Sequence, residues 1–332
     1  MDINDLIEKL LQGNTRAAAR LITIAENDIV KAEEIVKKIY KHTGNAYILG
    51  ITGAPGSGKS TFISTLTKKL IDQGKKVGII CVDPTSPLSG GAILGDRIRM
   101  KQHFSLDNVF IRSMANRGVL GGLARATEDV IKILDVYGCD FIIVETVGVG
   151  QSEVDIFKSA HTVAVLLVPG LGDDIQVIKA GIMEITDIFV INKMDLPGAD
   201  KKVAELRQML ELNMSYKYIS NNKDNAFLKI QNWQPEVVKV NSKTGENFDK
   251  FLNALEKHRK YLEETGVISS YKINRIKNET LQILKHKLTE KIEKLIDSNS
   301  EIENYIKLVM DKSLDPYSMA NLIVKLLGID SQ

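Results

Sequence analysis

The sequence reads Gly53-Ala54-Pro55-Gly56-Ser57-Gly58-Lys59-Ser60 directly after an apolar, strand-like run over residues 46–52. Glycines at this spacing let the backbone fold around phosphate with its N–H groups pointing inward, the lysine adds positive charge at the β and γ phosphates, and the serine hydroxyl can bind Mg²⁺. A helix predicted from Thr61 to about Asp72 would point its positive amino end at the same anion. The pattern therefore predicts that residues 53–61 form a nucleotide-phosphate loop between a strand and a helix.

Short apolar runs alternate with helical stretches through the middle of the chain. The strand-like runs span residues 46–52, 77–83, 109–111, 141–147, 163–168, 188–192 and 237–240. Such alternation is typical of a mostly parallel central sheet flanked by helices, with ligand-binding groups at the carboxyl ends of the strands. The predicted fold class is therefore α/β, in the arrangement of a P-loop NTPase.

Helical patterns precede and follow this α/β region. Apolar residues recur at helical spacing before Gly44, and Asp315-Pro316 has the character of a helix N-cap followed by proline at the first helical position. A seam with spacings of three and four, typical of a helix that packs on another helix, consists of Leu281, Leu284, Leu288, Ile292 and Leu295. We predict an N-terminal helical extension over 1–43, a P-loop domain over 44–262 and a C-terminal helical arm over 263–332. The polar stretch 213–235 is predicted to be a surface loop.

The amino-acid composition limits the classes of partner expected for this protein. The chain has 332 residues, with 44 Lys and Arg against 42 Asp and Glu, and this balance gives no basis for a broad nucleic-acid surface. It contains neither a basic, apolar leader nor an apolar run of the ~20 residues that span a bilayer. Cys81 and Cys139 lie in the apolar runs 77–82 and 139–144, where they are predicted to be small buried side chains without a disulfide, as in a reducing compartment. We expect a cytoplasmic protein without nucleic-acid or membrane partners.

A second motif indicates the base. Asn192-Lys193-Met194-Asp195 follows a predicted strand and has the pattern N-K-x-D. The carboxylate of Asp195 can accept hydrogen bonds from N1–H and N2–H₂ of guanine, whereas adenine offers no such donor pair. The stem of Lys193 can lie along the flat ring. Asn241-Ser242-Lys243 follows the next strand and is the predicted second wall of the base pocket.

Acidic residues supply candidates for the metal ion and the attacking water. Asp83 and Glu145 end predicted strands, and Asp96 follows a Pro/Gly/Ser-rich segment. Carboxylates beside a phosphate loop can bind Mg²⁺ or orient water. The predicted metal ligands are therefore Ser60 and these three acids, and the predicted catalytic set is Lys59 with the same acids. Gln151 is a further candidate for positioning water.

These motifs together resemble one family of P-loop GTPases. The similar segments are the phosphate loop, Val82-Asp83-Pro84-Thr85-Ser86-Pro87, and residues 90–97, 112–118, 121–123, 145–153 and 169–176. Their order is similar to that of the MeaB type, called MMAA in animals and historically ArgK, in the signal-recognition/MinD-like class. Its members are chaperones of adenosylcobalamin-dependent acyl-CoA mutases. The resemblance covers most of residues 1–265, and the C-terminal helices share only its general character. Glu145-x-x-Gly148 replaces the D-x-x-G of Ras-type GTPases.

The resemblance implies several properties. The ligands would be GTP, GDP and Mg²⁺, and hydrolysis would be coupled to adenosylcobalamin loading or protection of a mutase, with methylmalonyl-CoA mutase as the expected partner. A switch would relay the nucleotide state through Gln151, Asp173, Gln176 and Lys179. The C-terminal arm would form a homodimer. In the last base loop, Asn241-Ser242 departs from the Ser-Ala that the family commonly carries.

Other functions remain open from the residues alone. A kinase acting on a transport-related protein would use ATP, and a purely structural nucleotide-binding subunit would bind without hydrolysis. A metal-insertion GTPase would usually carry a His-rich or Cys-based site, whereas this chain has five scattered histidines. The sequence fixes no catalytic arginine in the pocket, and the candidates are Arg97, Arg99, Arg112 and Arg117.

Overall fold

The computed structural model describes residues 2–83, 108–115, 122–146, 160–170, 185–219 and 233–326. The chain divides into two compact units, Met1–Glu279 and Thr280–Gln332. The larger unit contains the sheet and the phosphate loop, whereas every described element of the smaller unit is helical. Asp96, Gln151, Asp173, Gln176 and Lys179 lie outside the described residues.

Seven strands form one sheet in the described part of the larger unit. They are β1 (Tyr47–Gly53), β2 (Val77–Asp83), β3 (Val109–Ala115), β4 (Phe141–Thr146), β5 (Thr162–Leu167), β6 (Ile188–Ile191) and β7 (Glu236–Lys239). Their order is β3-β2-β4-β1-β5-β6-β7, and each neighbouring pair is parallel. All carboxyl ends therefore lie at one edge, with β1 in the middle. This arrangement confirms the predicted α/β fold class.

Helices cover both faces of the sheet. In chain order, the described helices up to residue 264 are α1 (Ile3–Leu11), α2 (Thr15–Asn27), α3 (Ile29–Ile39), α4 (Lys59–Asp72), α5 (Gly122–Val136), α6 (Ala199–Ile219) and α7 (Phe248–Glu264). On one face, an apolar layer contains residues of α1, α2, α3, α5 and α6 together with Ile48 of β1. On the other face, a second layer contains residues of α4 and α7 together with Leu49 of β1. Because successive strand residues face opposite layers, β1 is buried on both faces, which explains its uninterrupted apolar run.

The C-terminal helices are α8 (Val267–Ser298), α9 (Ser300–Met310) and α10 (Pro316–Leu326). The predicted cap of the last helix is confirmed, because Asp315 Oδ1 accepts hydrogen bonds from the backbone N–H groups of Tyr317 at 2.9 Å and Ser318 at 3.0 Å. Pro316 is its first residue, where a missing N–H costs no helical hydrogen bond. Among the described helices, none is long and apolar enough to cross a bilayer.

Two boundaries differ from the sequence prediction. The third strand continues to Ala115 rather than ending at residue 111, because it pairs with β2 over its whole length, from Val77↔Val109 to Asp83↔Ala115. The predicted loop over 213–235 is wrong in its first part, since α6 continues to Ile219. No Gly or Pro interrupts residues 199–219, so the sequence contains no helix-breaking residue before Ile219.

A chain of buried polar groups joins strands at the edge opposite the phosphate loop. Tyr47 Oη lies 2.5 Å from Thr162 Oγ1, which lies 2.7 Å from His258 Nδ1. His258 Nε2 lies 3.4 Å from Asp187 Oδ1, and Asp187 Oδ2 accepts a 2.8 Å hydrogen bond from the backbone N–H of Val163. The chain therefore connects β1 and β5 to α7 and to the start of β6.

The buried Asp187 makes stability depend on pH. Burial raises the pKa of Asp187 to about 7 and lowers the pKa of His258 to about 4. The raised pKa of Asp187 contributes stability that is complete below the unfolded pKa of ~4 and is lost as pH rises through about 7. The lowered pKa of His258 contributes stability that is complete above the unfolded pKa of ~6.5 and is lost as pH falls through about 4. Asp187→Asn removes the first contribution and keeps an oxygen acceptor for Val163. Relative to this variant, we expect the wild-type unfolding free energy to fall by roughly 2–4 kcal/mol between about pH 4.5 and about pH 8.

Urea denaturation of both proteins across this pH range measures the effect. Asp249→Asn, at a side chain that is 84% exposed, controls for the loss of a carboxylate as such. A wild-type-minus-D187N difference that stays constant with pH would contradict a titrating, buried Asp187.

Candidate functional site

The phosphate loop leaves the carboxyl end of the central strand β1, and close approaches explain two of its glycines. Gly53 has φ +152°, and a Cβ atom there would lie 2.4 Å from the carbonyl oxygen of Leu166 on β5. Gly58 has φ +89°, and a Cβ atom there would lie 2.5 Å from Asn192 Nδ2. A side chain at either position would collide with a neighbouring strand end or base loop. The loop therefore needs glycine for space as well as for backbone conformation.

Lys59 folds back over the loop. Its side chain is buried, and Nζ donates hydrogen bonds to the carbonyl oxygens of Gly53 at 2.8 Å and Ala54 at 3.3 Å. The helix α4 begins at Lys59, two residues before the predicted start at Thr61, so Lys59, Ser60 and Thr61 occupy its first turn. The amino end of α4 and the ammonium group thus place positive charge at the same loop.

The N-K-x-D segment contacts the phosphate loop directly. Asn192 is 1% exposed, and its Nδ2 donates a 2.7 Å hydrogen bond to the carbonyl oxygen of Ser57. Lys193 adopts a positive φ of 55°, and its Nζ donates to the carbonyl oxygen of Gly56 at 3.0 Å. The segment predicted to bind the base and the segment predicted to bind phosphate are therefore joined by side-chain hydrogen bonds.

The third predicted segment completes this arrangement. Asn241, just after β7, donates a 2.9 Å hydrogen bond from Nδ2 to Asp195 Oδ1, and its own Oδ1 accepts from the backbone N–H of Lys243 at 3.0 Å. Asp195 itself is exposed at this edge of the sheet. Because one carboxylate oxygen accepts a hydrogen bond from the amide of Asn241, the orientation of the exposed Asp195 carboxylate is restrained.

Glu145 is the central acid of the described site. It lies in β4 between Ile51 of β1 and Cys81 of β2, and it is 1% exposed. The thiol of Cys81 donates to Glu145 Oε2 at 3.8 Å. Asp83 is the last residue of β2, at the same edge of the sheet. The strand ends thus bring two of the three predicted acids to the edge that carries the phosphate loop.

Two residues that contact the predicted site residues belong to no recognisable sequence motif. Thr65, in α4, donates from Oγ1 to the carbonyl oxygen of Ser242 at 2.7 Å, although the two residues are separated by 177 positions. Cys81 reads in the sequence only as a small buried hydrophobe, yet it contacts Glu145. Neither residue belongs to a phosphate or base motif, so only the fold reveals them.

Arg112, one of the candidate catalytic arginines, has a structural role in the fold. Its guanidinium forms an ion pair with Glu26 of α2, in which Nε donates to Oε1 at 2.9 Å. This pair joins β3 to the N-terminal helices, and both side chains are mostly buried. Arg112 therefore has a structural partner, whereas Arg97, Arg99 and Arg117 lie outside the described residues.

Comparison with known proteins agrees with this geometry. Residues 18–297 match the family described as "Methylmalonyl Co-A mutase-associated GTPase MeaB". A putative GTPase of Pyrococcus horikoshii is 50% identical over 327 residues, which cover 98% of this chain and 99% of the relative. GTPase ArgK of Escherichia coli is 32% identical over 305 residues, which cover 91% of this chain and 88% of the relative. The crystal structure of a protein named LAO/AO transport system kinase has a TM-score of 0.68 and 25% identity, covering 98% of this chain and 97% of that chain.

The family match includes the phosphate loop, both base segments and Glu145. The relatives named above as GTPases cover nearly the whole chain. The protein is accordingly a GTP-hydrolysing enzyme that binds GTP and GDP. The chain belongs to the MeaB family of P-loop GTPases, within the signal-recognition/MinD-like class.

Proposed function

We propose that this GTPase couples GTP hydrolysis to the loading or protection of adenosylcobalamin in methylmalonyl-CoA mutase or a related acyl-CoA mutase. The observation that carries the proposal is the match of residues 18–297 to a family described as associated with that mutase. The joined phosphate and base segments provide a nucleotide site whose occupancy can be signalled to a partner. Hydrolysis by the protein alone would be slow, with a partner completing the site.

Mg²⁺ is the proposed metal ion, and the donor chemistry of the site fits it. Ser60, Asp83, Asp96 and Glu145 are the proposed ligands, all of which offer oxygen, the donor that Mg²⁺ prefers. Within the described ranges, no three His, Cys, Asp or Glu side chains are grouped as a metal site of their own. When bound, Mg²⁺ would neutralise charge on the β and γ phosphates.

Protein groups would perform the remaining chemistry. We assign to Lys59 the neutralisation of phosphate charge in the transition state, and to Glu145 the orientation of the attacking water, with Asp83 and Asp96 supporting it. The burial of Glu145 favours this role, because a buried carboxylate has few competing contacts with bulk water. Asp195 and Lys193 would bind guanine, beside Asn241 to Lys243.

A switch that flanks β5 in the chain is the proposed output of the site. The residues assigned to it are Gln151, between β4 and β5, and Asp173, Gln176 and Lys179, after β5. Support comes from β5, which neighbours β1 and whose Leu166 carbonyl oxygen lies against Gly53. The chain leaving β5 at Pro169 and Gly170 therefore starts beside the phosphate loop, where it can respond to the nucleotide.

Complex formation with the mutase tests the coupling. The protein is mixed with adenosylcobalamin-dependent methylmalonyl-CoA mutase in the presence of GDP or a non-hydrolysable GTP analogue, and the affinity is measured by calorimetry. We expect a complex whose affinity differs at least ~5-fold between the two nucleotides. Lys59→Ala, which cannot bind phosphate properly, should bind the mutase with the same affinity in both conditions. No complex with either nucleotide would contradict the proposal.

A second candidate is transfer of phosphate to a transport-related protein. It is favoured by the structural relative that bears the name LAO/AO transport system kinase. A kinase would leave the γ-phosphate on an acceptor protein and prefer ATP, whereas the hydrolase releases inorganic phosphate from GTP. Following the labelled γ-phosphate of each nucleotide therefore separates the two functions.

We also propose that the C-terminal arm, residues 263–332, forms a homodimer. In α8, Leu281, Leu284 and Leu288 are 49%, 50% and 42% exposed and share one helical seam. Covering three such side chains stabilises a dimer, since full burial of a leucine contributes ~1.5–3 kcal/mol.

Charged residues in the seam are expected to dissociate this dimer. For the double variant Leu284→Glu and Leu288→Glu, light scattering after size exclusion should give the monomer mass, because four carboxylates would be buried in the interface. Asp297→Lys, at an exposed position on the side of α8 opposite Leu284 and Leu288, changes charge on the same helix and should leave the dimer intact. A dimeric double variant would place the interface elsewhere.

The buried thiols Cys81 and Cys139 support a further proposal, that the protein acts in the cytoplasm. Thiols that are buried in a core and not joined in a disulfide are typical of reducing compartments.

A further inference from the structure

Ser242 lies in the segment predicted to form the second wall of the base pocket. It follows β7 and is 4% exposed. Its hydroxyl donates a 2.7 Å hydrogen bond to Asn192 Oδ1, and its backbone N–H donates to the same oxygen at 3.2 Å. The shorter bond belongs to the hydroxyl, which alanine would lack.

Asn192 carries this contact to the phosphate loop. While its Oδ1 accepts from Ser242, its Nδ2 donates to the carbonyl oxygen of Ser57 at 2.7 Å. The same Nδ2 occupies the space beside Gly58, where a Cβ atom would lie 2.5 Å away. The hydroxyl of Ser242, the amide of Asn192 and the phosphate-loop backbone therefore form one continuous chain of hydrogen bonds.

The polarity of this chain permits one orientation of the Asn192 amide. Its oxygen faces the donors of Ser242 and the backbone N–H of Lys193 at 2.8 Å, and its nitrogen faces a carbonyl oxygen. A flipped amide would oppose donor to donor at one end and acceptor to acceptor at the other. Since all these groups are mostly buried, a flip would leave several hydrogen bonds unmade.

We propose that Ser242 is a positioning residue that couples the base segment to the phosphate loop through Asn192. A base that seats correctly beside Asp195 then favours the catalytic arrangement of residues 53–60, so the identity of the base affects turnover as well as binding. The inference rests on GTP hydrolysis at this site and does not depend on the mutase. A merely structural role for Ser242 would change stability without changing how turnover responds to the base.

Steady-state kinetics with GTP and ITP test the coupling. The base of ITP, hypoxanthine, differs from guanine only in lacking the 2-amino group that guanine would offer to Asp195. In the wild-type protein, kcat should be lower with ITP than with GTP, and KM should be higher. In Ser242→Ala, kcat with GTP should fall about fivefold, the factor expected for one hydrogen bond, and become equal for the two nucleotides. The ratio of the two KM values should remain that of the wild type, because Asp195 and Asn241 are untouched.

Two further variants serve as controls. Ser242→Thr keeps the hydroxyl and should restore the wild-type difference in kcat, and Thr65→Val removes only the contact to the Ser242 carbonyl oxygen and should also keep it. If Ser242→Ala is too unstable to assay, Ser242→Cys, with its weaker donor, provides the same comparison.

The inference is overturned if the GTP-to-ITP ratio of kcat is the same in Ser242→Ala as in the wild type, or if wild-type kcat does not depend on the base. Absence of any GTP hydrolysis by the wild-type protein would instead contradict the enzymatic assignment, so the two failures are distinguishable.

Discussion

Replacing Asp195 by Asn is expected to weaken GTP binding at least ~100-fold, because an amide in place of the carboxylate presents a donor to the N1–H and N2–H₂ donors of guanine. The amide oxygen of the new side chain can still accept from Asn241 Nδ2, which holds Asp195 Oδ1 at 2.9 Å. Its NH₂ group would then face the base, where the 2-oxo group of xanthine is an acceptor. We therefore expect the variant to bind XTP more tightly than GTP, as measured by equilibrium binding of both nucleotides.

Asp200→Asn is the matched control for this change. Asp200 is an exposed aspartate in the first turn of α6, close in sequence to Asp195 and paired with Lys239. It should keep the wild-type preference for GTP over XTP. An unchanged preference in Asp195→Asn would show that this carboxylate does not read the base.

Replacing Gly58 by Ala is expected to reduce GTP binding by a similar factor, at least ~100-fold, through the geometry of the loop. The added Cβ atom would meet Asn192 Nδ2 at 2.5 Å, and the residue would have to keep a φ of +89°. Relief of that contact requires movement of the base segment, the phosphate loop or both. Isothermal titration with GDP and with the GTP analogue measures the loss.

Gly138→Ala is the control that separates the effect of backbone strain from that of the steric clash with Asn192. Gly138 has nearly the same φ, +91°, and a Cβ atom there meets nothing within 4 Å. This variant should lose ~1 kcal/mol of stability from backbone strain and bind nucleotide as the wild type does. Equal binding by Gly58→Ala and wild type would contradict the close approach of Asn192 to the loop.

Much of the fold follows from local patterns. The central strands are predictable because they are short apolar runs, of which β1 and β5 are buried on both faces, and parallel strands place their carboxyl ends at one edge. The same rule predicts that the phosphate loop, Glu145 and Asn192 to Asp195 lie close together, since each follows or ends a strand.

Contacts between distant side chains were not predictable. The hydrogen bond from Asn241 to Asp195 joins residues that the motifs identify separately, but nothing in either motif specifies this bond. The chain from Tyr47 to Asp187 depends on α7 packing at the opposite edge of the sheet, where His258 lies between elements far apart in sequence. Such pairs depend on tertiary packing, which residue periodicity does not encode.

The extension of α6 shows the limit of composition as a guide. A polar stretch after residue 212 has the composition of a surface loop, yet the helix continues to Ile219. Residues 213–219 contain neither Gly nor Pro, so their polarity alone does not distinguish an exposed helix from a loop. Only Gly or Pro would have predicted an earlier end.

GTP turnover with and without adenosylcobalamin-dependent methylmalonyl-CoA mutase tests the central claim most directly. We predict slow release of phosphate by the protein alone and an acceleration of at least ~10-fold by the mutase, as expected when a partner completes a GTPase site. Glu145→Gln should bind GTP but show little hydrolysis in either condition. The same rate of hydrolysis with and without the mutase would contradict the coupling of this GTPase to a cobalamin enzyme.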